Sequence, residues 1–123
     1  MVRVLICDDS AQARATLRAT LAESRGIEIV GEAKDGAEAI AATLRLAPDV
    51  VLIDGDMPVM DGVAATRRLR VLAPRASVIA VTGSDDERRL EEFRRAGASE
   101  CFRKGVGRAE LERAIARAER RAA

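Results

Sequence analysis

The chain has 123 residues, with 21 Lys and Arg against 20 Asp and Glu, a formal net charge of +1, no histidine, and two phenylalanines as its only rings. That length suits one domain with a sizeable core, and so even a charge balance offers no strong field for nucleic acid or an acidic membrane. The scarcity of aromatics argues against stacking platforms for single strands, and the absence of histidine removes imidazole from catalysis and metal ligation.

In chain order, "VRVLIC" (2–7) reads as a first strand, and Ser10 as the cap of a helix that stops by Gly26. "IEIVGEA" (27–33) is a second strand. Asp35 with Glu38 then has capping-box spacing, before a helix whose Ala37, Ile40, Ala41 and Leu44 recur at i, i+3, i+4, i+7 and which Pro48 closes. "DVVLID" (49–54) is a third strand, and Asp61 caps a helix ending before Pro74. "SVIAVT" (77–82) is a fourth, followed by a helix with a box of Ser84 and Glu87 and a stop at Gly97. "ECFRK" (100–104) is a fifth, and Leu111, Ala114, Ile115 and Ala118 form the apolar stripe of a last helix that begins after Gly105 or Gly107.

Strand and helix alternating five times predicts an α/β fold, a doubly wound five-stranded parallel sheet with right-handed crossovers and five helices. Residues 1–123 form a single unit in this reading. No apolar run is long enough to span a bilayer and no signal peptide precedes the first strand, so a cytoplasmic location is expected. Cys7 and Cys101 sit in apolar segments far apart and are expected to be free, buried thiols.

In such sheets ligands bind beyond the carboxyl ends of the strands, where strand order reverses. For the order 2-1-3-4-5 that point lies between strands one and three, which end in Asp8–Asp9 and Asp54. Carboxylates crowded there repel unless one protonates or a cation joins them. With no His or Cys among the donors, an all-oxygen site suits a hard ion such as Mg²⁺. Thr82 and Lys104, at the ends of strands four and five, add a hydroxyl and a cation to the same edge. Together these groups suit a transferring phosphoryl group, whose oxygens need charge neutralisation.

"ICDDS", "DVVLIDGDMPVMDG", "VIAVTGS" and "GASECFRK", in that order and spacing, resemble the receiver domain of two-component response regulators, with its flavodoxin/CheY-like fold. "EIVGEAKDGAEAI" and "MDGVAATRRLR" are especially similar to receivers of the LuxR/NarL type. The resemblance implies that Asp54 accepts a phosphoryl group from the phosphohistidine of a sensor histidine kinase. It implies that Asp9, Asp54 and the main-chain carbonyl of Asp56 bind Mg²⁺, with Asp8 supporting the ion through water. Thr82 would donate its hydroxyl to the phosphoryl group, Lys104 would pair with a phosphoryl oxygen, and Met57 and Pro58 would shape the loop carrying the Asp56 carbonyl. The result would be a conformational switch and slow self-dephosphorylation, not enzymatic turnover.

Three positions depart from the family pattern. Cys101 stands where many receivers carry an aromatic residue, and strand alternation turns neighbouring Phe102 to the other face. Gly105 follows Lys104 where many members have proline. Asp56 is acidic where other side chains are common, and its carboxylate is expected either at solvent or near the phosphoryl group.

Other readings compete. "VLIDGD" also matches the "hhhDxD" nucleophile motif of haloacid-dehalogenase-like phosphatases, but here it follows some fifty residues carrying another acid pair. A flavodoxin-like FMN site would need Ser, Thr and Gly donors where "CDDSAQ" stands. The output is open between a stand-alone receiver acting through protein–protein binding and a transcription factor whose LuxR-type helix-turn-helix is absent from this chain, which therefore would not bind nucleic acid directly. The charged fourth helix is expected as a solvated face with pairs such as Glu91 and Arg95, or as the seat of a homodimer.

Overall fold

Successive side chains of a strand point to opposite faces, and in the three central strands both faces are buried, so these strands are sandwiched between helices. In the computed structural model, which describes residues 1–83 and 87–122, five strands form one parallel sheet in the order β2-β1-β3-β4-β5. They are β1 (Val2–Cys7), β2 (Ile27–Ala33), β3 (Val50–Ile53), β4 (Ser77–Thr82) and β5 (Glu100–Arg103). Between and after them run α1 (Ala11–Leu21), α2 (Gly36–Leu46), α3 (Gly62–Leu72), α4 (Glu87–Ala96) and α5 (Arg108–Ala122). The expected fold is the observed one.

The alternation divides the core into two layers. Leu5, Cys7, Val51, Ile53, Val78 and Ala80 face α2, α3 and α4, where they meet Ala39, Ala42, Leu69 and Phe93. Val4, Ile6, Val50, Leu52, Ile79 and Val81 face α1 and α5, packing on Leu21, Leu111, Ala114, Ile115 and Ala118. The stripe expected on the last helix is therefore its core face. Cys101 belongs to the first layer and Phe102 to the second, as period-two alternation requires. Both cysteines are free; Cys7 is buried and Cys101 half-buried.

The second helix corrects an expectation. Its buried face is Gly36, Ala39, Ala42 and Thr43, with Ile40 half-buried against the same core as expected, whereas Ala37 and Ala41 are exposed and Leu44 is 56% exposed. Small residues let α2 lie close to its neighbours, and the Thr43 hydroxyl is satisfied within the helix by the Ala39 carbonyl at 2.7 Å. Two stripes offset by one residue fit the same periodicity, and close approach selects the smaller one.

The caps follow the sequence. Ser10 Oγ accepts from Ala13 N at 3.1 Å, Asp35 Oδ1 from Glu38 N at 2.7 Å and Asp61 Oδ1 from Ala64 N at 2.9 Å. The returning contact of the Asp35–Glu38 box goes to the Lys34 N–H at 3.3 Å, one residue earlier than the motif specifies. The Ser84–Glu87 box involves Ser84, which lies outside the described residues. Gly26 (φ 82°) and Gly97 (φ 110°) supply the left-handed turns after α1 and α4.

Candidate functional site: an acidic pocket at the carboxyl edge of the sheet

Register brings the site together. Cys7 pairs with Ile53 and Ile53 with Ala80, so β1 and β3 release Asp8 and Asp54 side by side. The Asp54 N–H donates to the Cys7 carbonyl at 2.9 Å, holding the two exits in step. Thr82 ends β4 beyond Ala80 and is fully buried. The Lys104 N–H donates to the Thr82 carbonyl at 2.9 Å, which sets the start of the lysine side chain.

Asp8, Asp9 and Asp54 each present a carboxylate oxygen within 4.8 Å of the others, a group able to hold a metal ion. Asp8 and Asp54 are buried, while Asp9 is exposed. Lys104 Nζ lies 2.8 Å from Asp8 Oδ2 and 3.7 Å from Asp54 Oδ2. Asp8 divides its two oxygens. Oδ1 accepts from the Ser10 N–H at 2.9 Å, fixing the turn into α1. Oδ2 is buried and faces the Lys104 ammonium. Three converging carboxylates beside one ammonium leave negative charge in excess, and with no nitrogen or sulfur donor among them they fit a hard divalent cation.

Electrostatics reflect the crowding. Burial, followed by the neighbouring Asp8 charge, holds the Asp54 carboxyl above the usual aspartate range, and Lys104 and the Asp56 main-chain amide only partly offset this. Burial draws the Lys104 ammonium down, but its contacts with Asp8 and Asp54 together outweigh that and leave it raised. Burial pushes the Cys7 thiol far up, so it is an inert core residue.

The loop from Asp54 to α3 is tightly built. Gly62 N donates to the Gly55 carbonyl at 3.0 Å. A Cβ at Gly62 would lie 2.0 Å from the Asp54 carbonyl oxygen, so only glycine lets α3 start against the strand exit. Met57 is buried, and after Pro58 the exposed Val59 has φ 69°, in a three-residue turn closed by Met60 N donating to the Pro58 carbonyl at 2.7 Å. A β-branched residue there is strained. Asp61 caps α3 and is not among the converging carboxylates. The Asp56 side chain is 73% exposed and pairs at 3.1 Å with Arg89 of α4, a residue that sequence reasoning missed. Nothing in a charged helix face marks which arginine turns inward.

A doubly wound parallel sheet with an acidic pocket and a lysine at its switch point defines a CheY-like domain. The response regulator receiver domain family matches residues 4–116, and the chain belongs to that family. It is 38% identical over 115 residues to the response regulator GacA of Pseudomonas viridiflava, covering 94% of this chain and 54% of that protein. It is 47% identical over 94 residues to protein-glutamate methylesterase/protein-glutamine glutaminase 4 of Geobacter metallireducens, covering 76% of this chain and 27% of that protein. The signal receiver domain of the response regulator NarL from Mycobacterium tuberculosis superposes with a TM-score of 0.91 at 29% identity, covering 97% of this chain and 96% of that one. The chain thus spans about half the length of the first relative and a smaller share of the second. Neither the phosphatase nor the FMN reading is needed. No helix among the described residues is long and apolar enough to cross a membrane.

Proposed function

We propose that Asp54 is the phosphoacceptor of this receiver. The observation that carries the reading is the convergence of Asp8, Asp9 and Asp54 within 4.8 Å, with Lys104 Nζ 3.7 Å from Asp54. An Asp54 carboxylate oxygen attacks the phosphorus of a phosphohistidine on a sensor histidine kinase. The new O–P bond replaces the N–P bond, and the imidazole leaves. Asp9, Asp54 and the Asp56 carbonyl would hold Mg²⁺, with Asp8 steadying it through water; the ion supplies charge neutralisation for the phosphoryl oxygens. Lys104 exchanges its ion pairs for a phosphoryl oxygen. Thr82, buried at the end of β4, donates its hydroxyl to another, drawing its loop toward the site.

The chain works as one receiver unit over 1–123, in the cytoplasm, and loses its phosphoryl group by slow hydrolysis without acting as an enzyme on other substrates. Its output is a shift between two conformations that controls a LuxR-type helix-turn-helix domain or a separate protein partner, with homodimerisation through the α4 side as one route. The GacA and NarL likenesses favour transcriptional output. With Cys101 in place of an aromatic, and its thiol 3.8 Å from the Leu90 carbonyl, the switch runs without a swinging ring. Amide NMR with beryllofluoride and Mg²⁺ tests this: wild type shifts around Asp54, Thr82 and Lys104, and Asp54→Ala does not. A wild-type spectrum unmoved by the reagent refutes the assignment.

A further inference from the structure

The loop behind Asp54 is braced from outside by α4. Arg89 Nη2 donates to the Gly55 carbonyl at 2.7 Å and to Asp56 Oδ1 at 3.1 Å. Its side chain is only 20% exposed. The fit is mutual, because a Cβ at Gly55 would fall 2.9 Å from Arg89 Nε and 3.1 Å from the Phe93 ring. The guanidinium and ring occupy the space a side chain at position 55 would need. Both bonds leave the one nitrogen Nη2, whose two N–H directions are fixed by the rigid guanidinium plane, whereas a lysine ammonium rotates on a flexible stem.

The peptide plane explains why this matters. In a trans peptide the C=O and the following N–H point in opposite directions. Holding the Gly55 carbonyl toward Arg89 and the Gly62 N–H turns the Asp56 N–H the other way, toward the Asp54 carboxylate. The Asp56 carbonyl, which opens the next peptide unit, is the main-chain ligand assigned above to the divalent ion.

We propose that Arg89 is a positioning residue of the phosphoacceptor site: by gripping the Gly55 carbonyl and the Asp56 carboxylate it fixes the Asp56 backbone for divalent-ion binding and ties α4 to the pocket. This rests on the reading of Asp54 as phosphoacceptor beside a divalent ion. Geometry and charge predict opposite signs for its removal. Loss of a nearby positive charge alone would tighten Mg²⁺ binding, whereas loss of the brace weakens it.

The test measures Mg²⁺ affinity from amide shifts of isotopically labelled protein, and phosphorylation by acetyl phosphate across a Mg²⁺ series. Partner groups that orient metal ligands commonly carry 10–100-fold in affinity, and Arg89 orients one ligand of several. Arg89→Gln is therefore expected to raise the Mg²⁺ Kd about tenfold, while the rate at saturating Mg²⁺ stays within about twofold of wild type. Arg89→Lys falls between the two. Arg95→Gln, on the same helix but paired with Glu91 among the described residues, behaves as wild type. An unchanged or tighter Mg²⁺ Kd in Arg89→Gln, with wild type binding Mg²⁺ and accepting phosphate, overturns the role of Arg89 alone. A wild type that does neither overturns the phosphoacceptor reading and this inference with it.

Discussion

Asp54→Asn should stabilise the metal-free protein while abolishing its function. With an effective dielectric constant of about 20, unit charges 4.8 Å apart repel by about 3.5 kcal/mol, and opposite charges 3.7 Å apart attract by about 4.5 kcal/mol. Asp8 lies within the first distance of Asp54 and Lys104 at the second, so the two contributions nearly cancel. What remains is the burial of a carboxylate that is 4% exposed. A neutral amide of the same shape avoids most of it, for a gain of about 1–2 kcal/mol, or about 4–8 °C in Tm. The pH dependence has a fixed sign. Because the folded-state pKa of Asp54 is raised, its protonated form favours folding fully below the ordinary aspartate value of about 3.9, and that benefit is lost as pH rises through the folded value. The advantage of asparagine should therefore be large near about pH 7.5 and small near about pH 4. Circular-dichroism melts in EDTA at both values measure it. Saturating Mg²⁺ should narrow the gap by stabilising wild type selectively. An asparagine variant less stable than wild type in EDTA at neutral pH, or equally advantaged at both pH values, would refute the electrostatic reasoning.

Gly62→Ala places a methyl group against the Asp54 carbonyl, a backbone atom that cannot yield cheaply; urea unfolding should show a loss of about 2–3 kcal/mol. Val59→Asn relieves the positive φ of an exposed β-branched residue and should add about 1 kcal/mol in the same assay, a decrease being the contrary result. Lys104→Met leaves the buried carboxylates without their ammonium; phosphorylation by acetyl phosphate should slow by about tenfold or more, as read by intact mass over time.

The central strands were legible because apolar residues run unbroken through Val50–Ile53 and from Val78 to Val81, and two-sided burial produces such runs. Convergence of Asp8, Asp9 and Asp54 followed once the order 2-1-3-4-5 was supposed, since strand order decides which loops meet. The face of α2 did not follow. Ala37, Ala41 and Leu44 fit a helical stripe as well as Gly36, Ala39 and Thr43, and the distance to the neighbouring layer chose between them, with Ile40 half-buried at the border. Nor did Arg89, because its partners Gly55 and Asp56 lie more than thirty residues away and its helix is arginine-rich throughout. Even the irregularity between Val4 and Leu5 in the β1–β2 pairing leaves no mark in the residues that make it. Periodicity reports burial within an element, whereas these features depend on the spacing between elements.

The most direct test of the phosphoacceptor assignment is intact-mass measurement after incubation with acetyl phosphate and Mg²⁺. Wild type should gain one phosphoryl group that EDTA prevents, and Asp54→Ala should gain none. An unmodified wild type, or an Asp54→Ala protein modified to the same extent, would contradict it.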